Sequence, residues 1–422
     1  MIEIKKPQDL ARLRHLALAS QGLLQAQPFG RGLAGARKAI THIGYVQIDT
    51  ISVVERAHHH VLHSRVPNFK PDMTNQLLLD GDVFEYWSHA AAFLPMEDFR
   101  FSLPYKHAIK GGQTHWYKNP DQKLMKELLA RIKVDGPLRS RDLTVDSKGA
   151  DKTKRGGWWD LKPAKKALEQ LYMQGDLMVS DRAGFQKQYD LKERVLPSHV
   201  NTKMPSVEEF AEHLLDQQLR CHGVVSLKGL IYLRRNPQLR KAMKALLGDK
   251  VAQGDLEQVQ VDVSGADSSE YFIEAGGLES RLPRLNNKLT ILSPFDNAVI
   301  QRDRLRDLFQ YHYQIECYVP EAKRQYGYFC LPLLYRGEFI GRMDCKAHRK
   351  IRHFEIKSLH FEGSGFDKGL VPPEFKSEFE SAFVEAIEEF RVFQECDSVS
   401  LTRVEPKRLT QGLQSALAHI EG

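Results

Sequence analysis

The chain has 422 residues, too many for one ordinary domain and enough for about three or four. An apolar share of 42% supports real cores. No apolar run approaches the ~18 residues of a spanning helix, which excludes a membrane-embedded helical protein. The net charge of +7 is uneven, because residues 101–200 hold 20 Lys/Arg against 12 Asp/Glu and leave the rest near neutral. A basic centre of this kind fits a polyanionic partner such as nucleic acid, although an uneven soluble surface would look the same.

Along the chain, Leu10, Leu13 and Leu16 predict one helix, and Leu33, Ala36, Ile40 and Ile43 a second that Gly44 ends. Strand-like stretches follow at Tyr45–Val53 and His58–His63, then an aromatic region with Phe84, Tyr86, Trp87 and Phe93. From Asp121 to Pro197 the pattern is clearer. Leu124, Leu128 and Ile132 recur at helical spacing, and Gly136-Pro137 breaks that helix. A short helix is expected near Ser140–Leu143, then a basic loop from Lys148 to Arg155. A longer helix starts near Trp158, with Leu161, Ala164, Leu168 and Leu171 on one face and Lys162, Lys165 and Lys166 largely elsewhere. Two strands around an Arg182–Gly184 turn complete the order helix, helix, basic helix, hairpin. That is the order of a winged helix, whose third helix enters a DNA groove in many proteins of this type.

The order recurs at about 207–275, where His222-Gly-Val-Val-Ser-Leu-Lys-Gly-Leu230 echoes Asp135-Gly-Pro-Leu-Arg-Ser-Arg-Asp-Leu143, and Gln253-Gly-Asp-Leu256 echoes Gln174-Gly-Asp-Leu177. After Leu285 the texture changes. Successive strand-like segments at Gln314–Val319, Tyr326–Leu331, Phe339–Asp344 and Phe354–Leu359 predict an antiparallel sheet or small barrel. Phe375, Phe379, Phe383, Ile387 and Phe390 then mark a helical apolar stripe. The expected fold is α+β, with three tandem winged-helix units (1–120, 121–200 and 201–284) before a β-rich C-terminal domain with a terminal helix (285–422).

Several constellations could carry chemistry. Strand alternation in Tyr45-Val-Gln-Ile-Asp49 would put Gln47 and Asp49 on one face. The carboxylate could accept a proton or face positive charge while the carboxamide orients a water; any half-buried strand shows the same polar-out pattern. Glu85, Tyr86, Trp87 and His89 offer a carboxylate, aromatic faces and an imidazole that could wall a site for an extruded base, or could pack a core. Lys162, Lys165, Lys166, Arg182 and Lys187 are candidate DNA contacts from winged-helix geometry, and Lys323 and Arg324 from a basic turn. His348-Arg-Lys350 forms another basic turn. His58, His59, His60 and His63 have no matching further ligand, so no metal site is assigned. The five cysteines (Cys221, Cys317, Cys330, Cys345 and Cys396) form no C-x-x-C pair. They fit neither a disulfide framework nor a cysteine zinc site, and they suit a reducing cytoplasm. The start, Met1-Ile-Glu-Ile-Lys-Lys6, lacks the apolar stretch of a signal peptide, so a cytoplasmic, nucleoid-associated location is expected. There is no phosphate-binding glycine loop, nucleophile elbow or zinc-protease motif.

Five ordered segments resemble the bacterial YcaQ/AlkZ family of winged-helix DNA glycosylases: Tyr45-Val-Gln-Ile-Asp49, Val83-Phe-Glu-Tyr-Trp-Ser-His89, Leu292-Ser-Pro-Phe-Asp-Asn297, Tyr318-Val-Pro-Glu-Ala-Lys-Arg-Gln-Tyr-Gly-Tyr328 and Gly341-Arg-Met-Asp344. The family pattern places Gln, a spacer, then Gln or Asp in the active site. Gln47 and Asp49 place this chain nearer the YcaQ-like branch. The resemblance implies three tandem winged helices holding double-stranded DNA, excision of N7-alkylated guanine and unhooking of interstrand crosslinks. On that reading the enzyme hydrolyses without strand cleavage, needs no cofactor and acts as a monomer. Two other classes fit the composition: a tandem winged-helix transcription regulator, and an architectural scaffold of the nucleoid.

Overall fold

The computed structural model describes residues 2–145, 161–262, 268–362 and 373–418. The fold is mixed α+β, and it forms two compact units, Met1–Lys70 with Ala211–Gly422, and Pro71–Phe210. The first stretch holds β1 (Ile2–Ile4), α1 (Pro7–Ser20), α2 (Gly32–Ile43), β2 (Val46–Gln47) and α3 (Ala57–His63). The second unit follows with α4 (Asp72–Leu79), β3 (Val83–Trp87), β4 (Ala91–Pro95), α5 (Leu103–Lys110), α6 (Gln122–Asp135), β5 (Leu138–Arg139), α7 (Asp142–Val145), α8 (Leu161–Met173), β6 (Leu177–Ala183), β7 (Gln186–Leu191) and α9 (Lys192–Val195).

Within that unit α6 to β7 take the winged-helix form. Asp121 caps α6 by accepting from the amides of Lys123 (3.1 Å) and Leu124 (3.0 Å), which satisfies donors that a helix start leaves orphaned. Met125, Leu128 and Ile132 face inward from α6, and Ala167, Leu168 and Leu171 from α8. β5 pairs with β7 and β7 with β6, in the order β5-β7-β6. The hairpin is longer than the sequence predicts. Arg182 lies inside β6 and pairs with Lys187 rather than sitting in the turn. The expected basic loop at 148–155 lies outside the described residues.

The chain continues through α10 (Val207–His222), α11 (Leu227–Leu230), α12 (Pro237–Gln253), β8 (Leu256–Val261) and β9 (Ser269–Glu274). Here Asn236 caps α12 and Ser226 caps α11. The short strand of a winged helix is reduced to one bridge, Val225 to Phe272. The other edge is filled by β1, which pairs parallel with β8, Ile2 opposite Val259 and Ile4 opposite Val261. The first helix follows its strand. Leu13 and Ala17 of α1 share one core with Ile4, Val224, Val259, Tyr271 and Ile273. The helix, strand, helix, helix, hairpin order also runs from α2 to β4.

The C-terminal part holds β10 (Leu289–Ile291), α13 (Arg302–Phe309), β11 (Leu331–Tyr335), β12 (Glu338–His348), β13 (His353–Phe361), α14 (Pro373–Phe393), β14 (Ser398–Glu405) and α15 (Thr410–Ala418). Of the two expected forms, the open sheet is found. Its order is β10-β11-β12-β13-β14, so β10 and β14 are edges and no barrel closes among the described residues. Four strands are antiparallel, and β14 joins parallel to β13. A parallel neighbour needs a long crossover, which α14 supplies. Phe379, Phe383, Ile387 and Phe390 bury its apolar stripe; the side chain of Phe375 lies outside the described ones. The strand expected at Gln314–Val319 is a loop, and the strand expected at Tyr326–Leu331 starts only at Leu331.

Candidate active site

The site is built from the end of α2. Gly44 closes that helix in the left-handed region, at φ 78°. A side chain there would collide with Gln217, so glycine is required for both conformation and space. The Asn297 amide then donates to the carbonyls of Ile43 (3.3 Å) and Tyr45 (3.2 Å). Beside it, Asp296 is fully buried and takes the Arg65 guanidinium through Oδ2–Nη1 at 2.6 Å and Oδ1–Nη2 at 2.8 Å. Arg65 also donates to the carbonyl (2.9 Å) and side-chain oxygen (3.0 Å) of Gln21. Desolvating two charges is costly unless the geometry is bidentate and the remaining donors are filled, and both conditions hold here. The Leu292–Asn297 motif thus holds the backbone that leads into the Tyr45–Asp49 motif.

The strand expected over Tyr45–Val53 ends at Gln47. Asp49 is therefore presented by a turn, and the alternation that would align it with Gln47 does not apply. Asp49 Oδ1 accepts from the Ile51 amide at 2.7 Å, a side-chain-to-backbone turn typical of Asp. Arg56 donates to the Thr50 carbonyl at 3.1 Å. Further on, Ser52 accepts from Arg349 (2.7 Å) and Val53 from the Ala347 amide (2.8 Å), which ties the turn to the end of β12. Gln47 is buried and Asp49 half-buried. Burial pushes the Asp49 carboxyl above its ordinary value of 3.8, against the opposing pull of the Ile51 amide and Arg56.

A second wall comes from the loop between α13 and β11. Cys317 and Tyr318 lie within electrostatic reach of Asp49. Glu316 closes this loop by accepting from the amides of Gln325 (2.9 Å), Tyr326 (2.8 Å) and Gly327 (3.0 Å). Arg342 lies 3.9 Å from the Tyr326 ring centroid and pairs with Glu362. Asp344 accepts from the Phe329 amide at 3.4 Å and leaves no room for a side chain at Gly327. The Gly341–Asp344 motif is thus the footing of the Tyr318–Tyr328 motif. The same loop lines a cavity of about 400 Å³ with Arg302, Arg306, Tyr311, Tyr313 and Arg342. Sequence reasoning did not single out Arg56, Glu316 or Cys317 for a role. Only the inclusion of Tyr318 in a family segment signalled this wall.

The other expected site residues have varied surroundings. Lys323 is exposed, while Arg324 donates to the Val319 carbonyl at 2.9 Å and lies 5.0 Å from the Tyr328 ring centroid. Lys165 and Lys166 are exposed on α8, and the Lys162 side chain lies outside the described ones. Glu85, Arg182 and Lys187 come together inside the second unit. Glu85 is fully buried, with Oε2 at 2.7 Å from Arg182 and Oε1 at 2.5 Å from Lys187. Directly paired strand residues project to one face, so Arg182 and Lys187 both reach this carboxylate. Arg182 is only 8% exposed in its side chain, so its charge is committed inward rather than presented on an open DNA-facing surface. Lys187 acts as an internal partner as well. Buried Glu85 is held ionised by the two cations. Tyr86 is buried and donates to the Met173 carbonyl at 2.6 Å. Trp87 packs edge-on to Trp116 at 4.9 Å, and His89 is partly buried.

His58–His63 lies on α3, not on a strand, and its imidazoles go to separate partners. His59 meets Glu55 at 2.8 Å, His60 meets the Ile291 carbonyl at 2.9 Å, and His63 stacks on Phe393 at 3.9 Å. His58 packs beside His59 at 4.1 Å.

The fold is of winged-helix type, and Asp49 on its turn is the candidate site carboxylate. The family model for "DNA glycosylase AlkZ-like" matches residues 40–393, and the chain belongs to that family of DNA glycosylases. Among solved structures it is similar to the Streptomyces sahachiroi DNA glycosylase AlkZ, with a TM-score of 0.56 and 15% identity over 93% of this chain and 99% of the other. At that identity the likeness concerns the fold. Among the described residues no helix is long and apolar enough to cross a membrane.

Proposed function

We propose that this glycosylase hydrolyses the N-glycosidic bond of N7-alkylated guanine and unhooks interstrand crosslinks, with Asp49 as the catalytic carboxylate and Gln47 orienting the water. The observation that carries the reading is the Asp49 carboxylate itself. It is half-buried, pinned by the Ile51 amide and raised from its ordinary value by desolvation. A base tuned upward takes a proton from water more readily, and a fixed anion stabilises developing positive charge.

N7-alkylated guanine already carries that positive charge, so it leaves without a strong general acid. The sugar then develops oxocarbenium character, which Asp49 faces as an anion. The water adds to the sugar carbon as its proton passes to Asp49. No lysine nucleophile enters, so the product is an abasic site in an unbroken strand. A crosslinked base is tethered to the opposite strand and cannot swing freely into a deep closed pocket, which favours an open site for that substrate. Three winged-helix units in one chain (1–120, 121–200 and 201–284), before the β-rich segment 285–422, can engage duplex DNA without a second copy. A monomer in the cytoplasm, associated with the nucleoid, is the corresponding expectation.

The test uses duplex DNA carrying N7-methylguanine or a nitrogen-mustard crosslink, with alkali revealing abasic sites. The wild-type chain is expected to release the base. Asp49→Asn combined with Gln47→Ala should slow release by about 10²–10⁴, the scale of one acid–base group. No release by the wild type would overturn the substrate assignment, and an undiminished double variant would overturn the site.

A further inference from the structure

The loop from Glu316 to Gly327 does more than connect α13 to β11. Its ends are stapled by one carboxylate that accepts from three consecutive amides. Against its desolvation, these three bonds lower the Glu316 carboxyl from its ordinary value, so the staple persists at neutral pH. Beneath the staple, Tyr326 rests against the guanidinium of Arg342, which Glu362 and the His312 carbonyl fix in turn. Within the loop Arg324 bonds back to the Val319 carbonyl. The result is a rigid loop on a buried ionic footing.

At the start of this loop stands Tyr318, 80% exposed. A large aromatic ring left in water on a rigid loop forfeits the burial that most tyrosines gain. Its neighbourhood is the Asp49 turn, since Tyr318 and the adjacent Cys317 both sense that carboxylate.

We infer that Tyr318 is the aromatic surface against which the damaged purine stacks beside Asp49, and that Glu316 positions it by closing the loop. The inference rests on the proposed function and deepens it by naming a substrate-contacting residue. Aromatic stacking tolerates alkyl groups on the base because it reads the ring face, and a cationic purine strengthens it through attraction to the π cloud. An exposed platform also suits a base that is only partly withdrawn from the helix, as a tethered crosslink requires.

The test compares wild type, Tyr318→Ala, Tyr318→Leu and Tyr318→Phe in single-turnover release of N7-methylguanine from duplex DNA. Binding to undamaged duplex and the thermal midpoint are measured alongside. Tyr318→Ala and Tyr318→Leu should slow release about 5- to 150-fold, the scale of one base–aromatic stack. Tyr318→Phe should keep most of the rate, because it retains the ring. Undamaged-duplex affinity and thermal midpoint should stay unchanged, since the ring is exposed and stacking needs a displaced base. Glu316→Ala should lower the release rate while Asp49 remains essential. If wild type releases the base and Tyr318→Ala matches it, the stacking role is overturned alone. If Tyr318→Phe falls as far as Tyr318→Ala, the hydroxyl rather than the ring is the contact, and the inference fails. If wild type releases no base, the proposed function falls and takes this inference with it.

Discussion

Asp49 shows how one residue can be unfavourable for the fold and suited to the chemistry proposed for it. Its carboxyl is raised by burial, so the folded state holds the proton more tightly than the unfolded state does. Above the raised value the ionised group therefore opposes folding, and that opposition fades as pH falls through it. Asp49→Asn should leave the thermal midpoint at neutral pH unchanged or higher while it removes the proposed base. For the wild type, base release should decline on the acid side through a single ionisation above 3.8, because a general base works only when deprotonated. A pH–rate profile of single-turnover release checks this. A profile flat down to the ordinary aspartate range would show that Asp49 does not act as the base.

At the scale of elements, polar residues inside the second unit join strands of two separate sheets. Glu85 on β3 receives Arg182 from β6 and Lys187 from β7. Removing the carboxylate takes the paired acid from two largely buried cations. Glu85→Ala should therefore cost about 3–5 kcal/mol, the scale for breaking a buried pair, visible as a lower midpoint in denaturant unfolding. Glu85→Gln keeps the shape and one acceptor oxygen, with an NH2 donor in place of the other, and it should cost less than Glu85→Ala. A Glu85→Ala variant as stable as wild type would mean that the cations find other partners. The sequence shows the three residues but not their meeting, because Glu85 and Arg182 are 97 positions apart. The hydrophobic periods, by contrast, show α6 and α8 directly, since each needs only its own i, i+3, i+4 spacing. For α3 the local pattern misleads. His58–His63 is expected as strand-like, yet Ala57, Val61 and Leu62 bury a helical face, and tertiary burial prevails over propensity.

For the whole molecule, buried histidines set the acid limit. His60 is lowered to about 4 and His63 to about 3, both by desolvation, and His222 lies well below 6.5 for the same reason. All three are in the unit formed by Met1–Lys70 with Ala211–Gly422. Each is neutral when folded and takes a proton at about 6.5 when unfolded, so the unfolded state binds more protons below that value. Stability from these groups is full above about pH 6.5 and is lost as pH falls toward their folded values. Each contributes a slope of up to about 1.4 kcal/mol per pH unit. Thermal midpoints measured from pH 7 to 4 should fall steeply, and His63→Phe, which can keep the stack on Phe393, should flatten the fall. An unchanged slope in that variant would remove His63 from the account.

The sequence alone determined the repeating helix, helix, hairpin order and the α+β class, because these depend on local spacing; it proposed Gln47 and Asp49 only through segments that resemble a known family. Only the tertiary structure decided how the pair is presented. Asn297 reaches the Tyr45 carbonyl across 252 positions, Glu316 closes a loop that reads as a strand, and β1, packed with α1, edges the distant β8. Each of these contacts satisfies a buried polar group or an open sheet edge with a partner distant in sequence. Hydrophobic period does not encode such partners, since a donor specifies the kind of acceptor it needs and not where in the chain that acceptor lies.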